Sequence, residues 1–437
     1  MINLLRKRGN VLLLALVATG CDNLPPPAPP ETQVVAASSH EPASVTWPEG
    51  TVAIDYPFTL QHIDAGDLDG DGRLDLTLAA HVESRVETFY QQADRGFRAS
   101  GPLDNPGFHP NGTLTLVGGD GQRYLVLNAE TANVLRAYRA QAGAAAEPAG
   151  ETAARAPTES IAVTWPAGWG RTLAVISKAG ATVLLYPEYD PALPVASTSV
   201  TALPTERAHL RAAGLTAADL RGQGVPSLLV AIPHEGRLAA ITPTAPGQVQ
   251  VEEVWNFGSL AGIETILPID FNGDGLQDLF LLGQVRQDAV LLINNGAGGF
   301  DLTSFPLDSK PGHPGVRSAA LTRDTDGSLL LWAGMEGSLV VLRWGQNRDL
   351  PPERLVFTRP GRDPIRFAAA DLDGDGHQDL VMGSAVGNLP LTAVYGPLAP
   401  KLDAIGAWLE VLAERRAGAQ EARQPANDMA ESAPNGG

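Results

Sequence analysis

Between residues 50 and 400 the chain alternates short apolar runs with clusters of Gly, Asp, Asn and Pro. The clearest stretch holds Thr265–Ile269, Leu279–Leu282, Ala289–Asn294 and Phe300–Pro306, with Asn295-Gly-Ala-Gly-Gly299 before the last run. Apolar, β-rich runs bounded by turn residues predict strands. Four strands follow one another here within about 50 residues, which is the size of one propeller blade.

The turn between the first and second runs is where the chain repeats itself. Asp67-Leu-Asp-Gly-Asp-Gly-Arg-Leu-Asp75, Asp270-Phe-Asn-Gly-Asp-Gly-Leu-Gln-Asp278 and Asp371-Leu-Asp-Gly-Asp-Gly-His-Gln-Asp379 are near copies. Oxygen-bearing side chains stand at positions 1, 3, 5 and 9: Asp67, Asp69, Asp71 and Asp75; Asp270, Asn272, Asp274 and Asp278; Asp371, Asp373, Asp375 and Asp379. Calcium takes six to eight hard oxygens, and a short loop supplies them only if it turns sharply. The glycines at 4 and 6 permit that turn. The backbone carbonyl at position 7 (Arg73, Leu276, His377) is expected to add a ligand, which leaves its side chain free to vary. No Glu follows at position 12 and a strand follows instead of a helix, so these are hairpin loops and not EF-hands. About three structural Ca²⁺ ions are expected. Bridging of a ligand by calcium is the alternative role.

Loop spacing sets the architecture. Six steps of about 51 residues separate Asp67 from Asp371, and Asp270 lies on the same register. Degenerate copies fill the other registers near 118, 169, 219 and 321; Asp219-Leu-Arg-Gly-Gln-Gly-Val-Pro-Ser-Leu keeps the glycines and loses the ligands. Seven units result. The seventh has three strands, Ile365–Ala370, Leu380–Gly383 and Leu391–Tyr395, while 51–57 (Thr-Val-Ala-Ile-Asp-Tyr-Pro) is a strand without a unit. The prediction is an all-β, seven-bladed β-propeller over 51–400, closed by that N-terminal strand, because closure removes the open edges that invite aggregation. Asp403 is expected to cap a helix over 401–417, whose Ile405, Trp408, Leu409 and Leu412 recur at helical spacing and pack on the propeller.

The second loop and the following Val290-Leu-Leu-Ile-Asn-Asn-Gly-Ala-Gly-Gly-Phe300 resemble the FG-GAP/VCBS repeat of bacterial surface and periplasmic proteins and are similar to the calcium-binding blades of integrin α-subunits. The resemblance spans about 50–400. It implies a propeller and calcium in the three intact loops. It leaves function open among adhesins, receptors, assembly factors and lyases.

The ends of the chain bear on location. Arg6-Lys-Arg8, an apolar run over 11–18 and Thr19-Gly-Cys21 read as a signal peptide over 1–21, too short in its apolar part to span a bilayer. Cys21 is the sole cysteine, and its setting resembles a lipobox with Ala18 where Leu is usual. Lipidation there anchors the chain through buried CH₂ groups at about 0.8 kcal/mol each. Asp22 resembles an inner-membrane retention signal of enterobacterial type. Residues 22–50, with six residues of Pro and Ala over 25–30, predict an extended tether, and 418–437 a disordered tail. The expected location is the bacterial cell envelope, on the periplasmic face of the inner membrane or at the outer membrane and cell surface.

Charge narrows the partners. The formal net charge is −18, and eleven of the acids sit in the three loops. Nucleic acid requires clustered Lys and Arg and is excluded. The motifs His-Glu-x-x-His, Gly-x-Ser-x-Gly, the P-loop and Cys-x-x-Cys-His are absent, so no catalytic residue is named. His81 and His234 follow second strands, and His109 and His313 precede first strands, so all four belong to the face opposite the acidic loops. The favoured reading is exposed turn residues copied by duplication; the other is a ligand or second-metal surface joined by Arg85, Glu235, Arg286, Asp288 and Glu336. Two functions follow: a membrane-anchored binding, scaffold or adhesion module for a protein or glycan, and a polysaccharide lyase or hydrolase on the same face. Low charge content and short loops favour the first.

Overall fold

The computed structural model describes residues 48–412, apart from 108, 167, 179, 194–198, 203–211, 246, 259–261, 308–314, 359–364 and 385–389. The leader, Cys21, most of the 22–50 tether, His313 and the tail lie outside the described residues.

Seven antiparallel four-stranded sheets make up the fold. Six are consecutive meanders. Blade one runs from His62–Gly66 through Phe97–Pro102, blade two from Pro110–Val117 through Ala144–Ala153, and blade three from Pro157–Trp165 through Ser199–Ala202. Blades four, five and six begin at Ala213–Ala218, Ile263–Ile269 and Ser318–Arg323. Blade seven supplies Ile365–Ala370, Asp379–Ser384 and Leu391–Val394, and its outer strand is Thr51–Ile54 from the other end of the chain. Thr51 pairs Val394 and Ile54 pairs Leu391, and Tyr395 N–H donates to Gly50 O at 2.9 Å. The closing strand expected from the sequence is therefore present, shortened to four residues.

The second strand of each blade is buried on both sides. Asp75–Ala80, Ser227–Ile232, Asp278–Gly283 and Asp379–Ser384 are buried at every position. A strand covered on both faces reads as a continuous apolar run and not as an alternation. The covering comes from neighbouring blades. The buried apolar residues form seven clusters, and each joins two adjacent blades, including Leu76 and Leu78 of blade one with Val381 and Ala393 of blade seven. Seven blades with seven interfaces make a closed ring; an open array would have six.

A single turn of 3-10 helix at Ala399–Lys401 leads into an α-helix over 402–412. Leu402, Ile405, Trp408 and Leu409 pack into the cluster between blades six and seven, against Trp332 and Met382. The expected cap, Asp403, is exposed. Asp324 caps the helix instead: its buried carboxylate accepts the backbone N–H groups of Leu398 and Ala399. The helix begins four residues before Asp403, so a side chain from another blade reaches its free amides first.

Deleting Thr51–Ile54 exposes the edge of Leu391–Val394 and uncovers the blade seven–blade one cluster. The shortened protein is expected to melt at least 5 °C below wild type and to form higher oligomers by size-exclusion chromatography. Equal melting temperatures would remove closure as a source of stability.

Candidate functional site

The inner strand of each blade ends at its hairpin to the second strand, so the three acidic loops share one end of the ring. Their glycines adopt the left-handed backbone: Gly70 and Gly72 at φ 85° and 89°, Gly273 and Gly275 at 78° and 86°, Gly374 and Gly376 at 73° and 87°. Three carboxylates converge in the first loop (Asp67, Asp69, Asp71) and three in the last (Asp371, Asp373, Asp375), their oxygens within 4.8 Å of one another. Asp371 Oδ1 is buried with no hydrogen-bond partner in the protein. An all-oxygen donor set with an orphaned carboxylate oxygen suits a hard cation. In the middle loop Asp270 accepts from Gly273 and Gly275, and Asn272 and Asp274 contact each other at 2.9 Å.

Position 9 also ties the loop to its sheet. Asp75 Oδ2 accepts Leu68 N–H at 2.8 Å and its Oδ1 accepts Gln91 N–H at 2.9 Å. Asp278 holds Phe271 and Asn294 in the same way, and Asp379 holds Leu372 and Gly396. Each of these carboxylates ties the start of its loop to the end of its blade's third strand. Burial pushes Asp75 and Asp379 up to about 6, against the opposing pull of those amides. Burial raises Asp278 too. At position 7 Arg73, Leu276 and His377 each donate their N–H to the position-5 carboxylate, at 2.9, 2.8 and 2.9 Å.

The degenerate loops kept their hairpins and changed their contacts. Asp219 is bonded by the amides of Arg221, Gln223 and Gly224. Arginines also bind the loop end of the ring across blade boundaries. Arg123 Nη1 donates to Asp67 O at 2.8 Å, Arg323 Nη2 to Asp270 O at 3.2 Å, and Arg171 to Val117 O. Arg95 of blade one pairs with Asp373 of blade seven at 2.6 Å. No fixed register in the sequence announces these links.

Second-to-third-strand turns and inner-strand starts meet at the opposite end, around the mouth of the central channel. A cavity of about 330 Å³ opens there. All seven blades line it, with Gln61, His81, Glu130, Glu159, Lys178, Glu264, Gln284, Arg317 and Arg366 among its residues. Lys178 bonds Glu130, and Glu159 accepts the amides of Gly214 and Leu215 at 3.3 and 2.9 Å. Below the mouth, His62 and Asp64 stand on blade one's inner strand. Burial and the Arg366 charge push His62 down to about 4; burial pushes Asp64 up to about 7.

His81 and His109 meet here, Nε2 to Nδ1 at 2.6 Å with ring centroids 4.3 Å apart, and burial and the His109 charge lower the His81 pKa. Of the two, only His81 lines the cavity. His234 is exposed in its turn and does not line the cavity. Arg85 pairs with Glu87 at 3.1 Å, Arg286 with Asp288 at 2.7 Å and Glu235 with Arg237 at 3.0 Å, and none of these, nor Glu336, belongs to the mouth. Of the histidines, His81 and His109 pair, His234 stays an exposed turn residue as the favoured reading has it, and the mouth is lined mainly by polar residues near the starts of the inner strands. Those residues carry no motif; a polar side chain at the start of successive inner strands was the available signal.

Residues 364–395 match the family described as FG-GAP repeat. The match covers the third intact loop and the strands around it. No curated protein matches. Among solved structures, BBS1N in complex with ARL6DN, soaked with lead, is similar over 80% of this chain and 95% of that one, at 12% identity and a TM-score of 0.53. Its mercury-soaked counterpart is similar over 78% and 94%, at 12% identity and a TM-score of 0.50. At that identity the likeness is one of fold. No helix among the described residues is long and apolar enough to cross a membrane.

Two outcomes check this geometry. Asp379→Ala leaves the N–H groups of Leu372 and Gly396 without their acceptor and is expected to destabilise by about 2–5 kcal/mol in urea denaturation even in chelator; Asp371→Asn is expected to lose stability only where calcium is present. Asp64 has a folded pKa above its unfolded one, so the stability it contributes is full below about pH 4 and is lost as pH rises toward 7. Asp64→Asn should therefore match wild type at pH 4 and melt above it at pH 7.5, by an amount on the order of a few kcal/mol. A constant gap across that range would place the Asp64 carboxyl in bulk-like solvent.

Proposed function

We propose that this FG-GAP propeller is a calcium-stabilised binding or scaffold module of the bacterial envelope, held to a membrane through a lipid on Cys21 and presenting the channel-mouth face to a protein or glycan. The observation that carries it is the division of labour between the two ends of the ring. One end gathers loops whose oxygens converge on points suited to a cation. The other offers a polar cavity built by all seven blades. Calcium at the loop end has a structural role, since each loop is a hairpin already tied at position 9. The similarity in fold to BBS1N, a protein in complex with ARL6DN, supports protein binding as a use of such a ring. The leader, the lone cysteine and the proline-rich stretch support tethering outside the cytoplasm.

Calcium at ten times its Kd adds about 1.4 kcal/mol for each occupied site. The chelator-treated protein is expected to gain several degrees of melting temperature when millimolar Ca²⁺ is restored. A flat response would end the calcium part of the proposal. The anchored protein is expected to retain a partner from solubilised membranes in calcium and to release it in chelator. Release of products from a polysaccharide by the purified protein would instead make the mouth the site of a lyase or hydrolase.

A further inference from the structure

Arg366 and Arg317 stand side by side at the mouth, on the first strand of blade seven and just before that of blade six. Arg366 Nη1 donates to Arg317 O at 3.1 Å and Nη2 to Gln61 Oε1 at 3.2 Å. Arg317 Nη1 donates to Gln284 Oε1. Among the described residues no carboxylate lies within ion-pair distance of either guanidinium. Arg366 Nε is buried and has no acceptor in the protein. Burial and the neighbouring Arg317 charge lower the Arg366 pKa, against the opposing pull of the more distant Glu264 carboxylate. Two adjacent guanidiniums that line one cavity and are joined only to neutral acceptors form a receptor for an anion.

The rest of the mouth selects which anion. Its described lining carries three carboxylates, Glu130, Glu159 and Glu264, against Lys178 and the two arginines, and is neutral as a whole. A dianion would meet twice the repulsion from those carboxylates that a monoanion meets, which favours an anion of single charge. The planar N–H donors of a guanidinium match the two in-plane oxygens of a carboxylate. Amide, hydroxyl and carboxylate groups dominate the lining, and Ala212 and Ala213 are its only apolar residues. That lining suits a hydroxylated body and offers little to an apolar one. We propose that the channel mouth is a binding site for a small polar monocarboxylate, its carboxylate seated on Arg366 and Arg317. The site deepens the binding-module reading of this face and rests on it.

Calorimetric titration of the mature protein with sodium gluconate, in calcium, tests the site, with D-glucose and inorganic phosphate as the neutral and dianionic controls. One gluconate per chain is expected, with no binding of glucose. Arg366→Gln is expected to weaken gluconate at least 10-fold, the loss of a charged hydrogen-bond pair. It is also expected to melt at or above the wild-type temperature without ligand, since it removes an unpaired cation. The melt separates lost binding from lost fold, and Arg317→Gln provides the second variant. Equal binding of glucose, displacement of gluconate by equimolar phosphate, unchanged affinity in both variants, or no heat with gluconate or lactate at 10 mM would each overturn the site. A membrane partner retained by the mouth face without any carboxylate titration would sink this inference alone and leave the module standing.

Discussion

Burial of apolar surface between neighbouring blades is the constraint on which the rest of the structure depends. No blade here has a core of its own. Its second strand is apolar on both faces, and each face is covered only by the next sheet in the ring. Such units cannot be stable singly, and a row of them leaves two uncovered faces. Closing the row removes both, and pairing Thr51–Ile54 with Leu391–Val394 does so with strands from the two ends of the propeller. The helix over 402–412 adds to the cluster between blades six and seven and is capped by Asp324 from within it.

Loop chemistry is subordinate to that packing. The position-9 aspartate is present in all three intact loops and satisfies two backbone amides in each. It turns the loop into part of the sheet, and positions 1, 3 and 5 remain to gather charge at the tip. Those carboxylates repel one another, and arginines offset part of the repulsion, Arg123 at Asp67 and Arg95 at Asp373. Where the acids have been lost, in blade four, the turn survives on its glycines and on Asp219. The cluster of acids and the hairpin geometry are therefore separable properties of one motif.

The two ends of the ring differ because antiparallel strands place different turns at each. The loop end is filled by side chains and cross-blade arginines. The mouth collects whatever residue begins each inner strand, and here these are charged and polar groups whose partners are mostly one another. Arg366 is held there by neutral acceptors, the Arg317 carbonyl and the Gln61 amide, with the Glu264 carboxylate acting on it only at longer range.

Much of this was written in local sequence. The glycines and aspartates of Asp67–Asp75, Asp270–Asp278 and Asp371–Asp379 are constrained by turns a few residues long, and their spacing fixes the number of blades. Apolar runs marked the strands because both faces of a second strand are covered. The missing strand of blade seven announced the closing segment. What the sequence did not contain was contact between residues far apart along the chain. Asp324 displaced Asp403 as the helix cap, His81 met His109 while His234 stayed apart, and Arg366, Arg317, Gln61 and Gln284 assembled one cavity from four blades. Hairpin geometry is decided within a single repeat and so is legible in order along the chain; the channel mouth takes one to three residues from each repeat and exists only once the ring has closed.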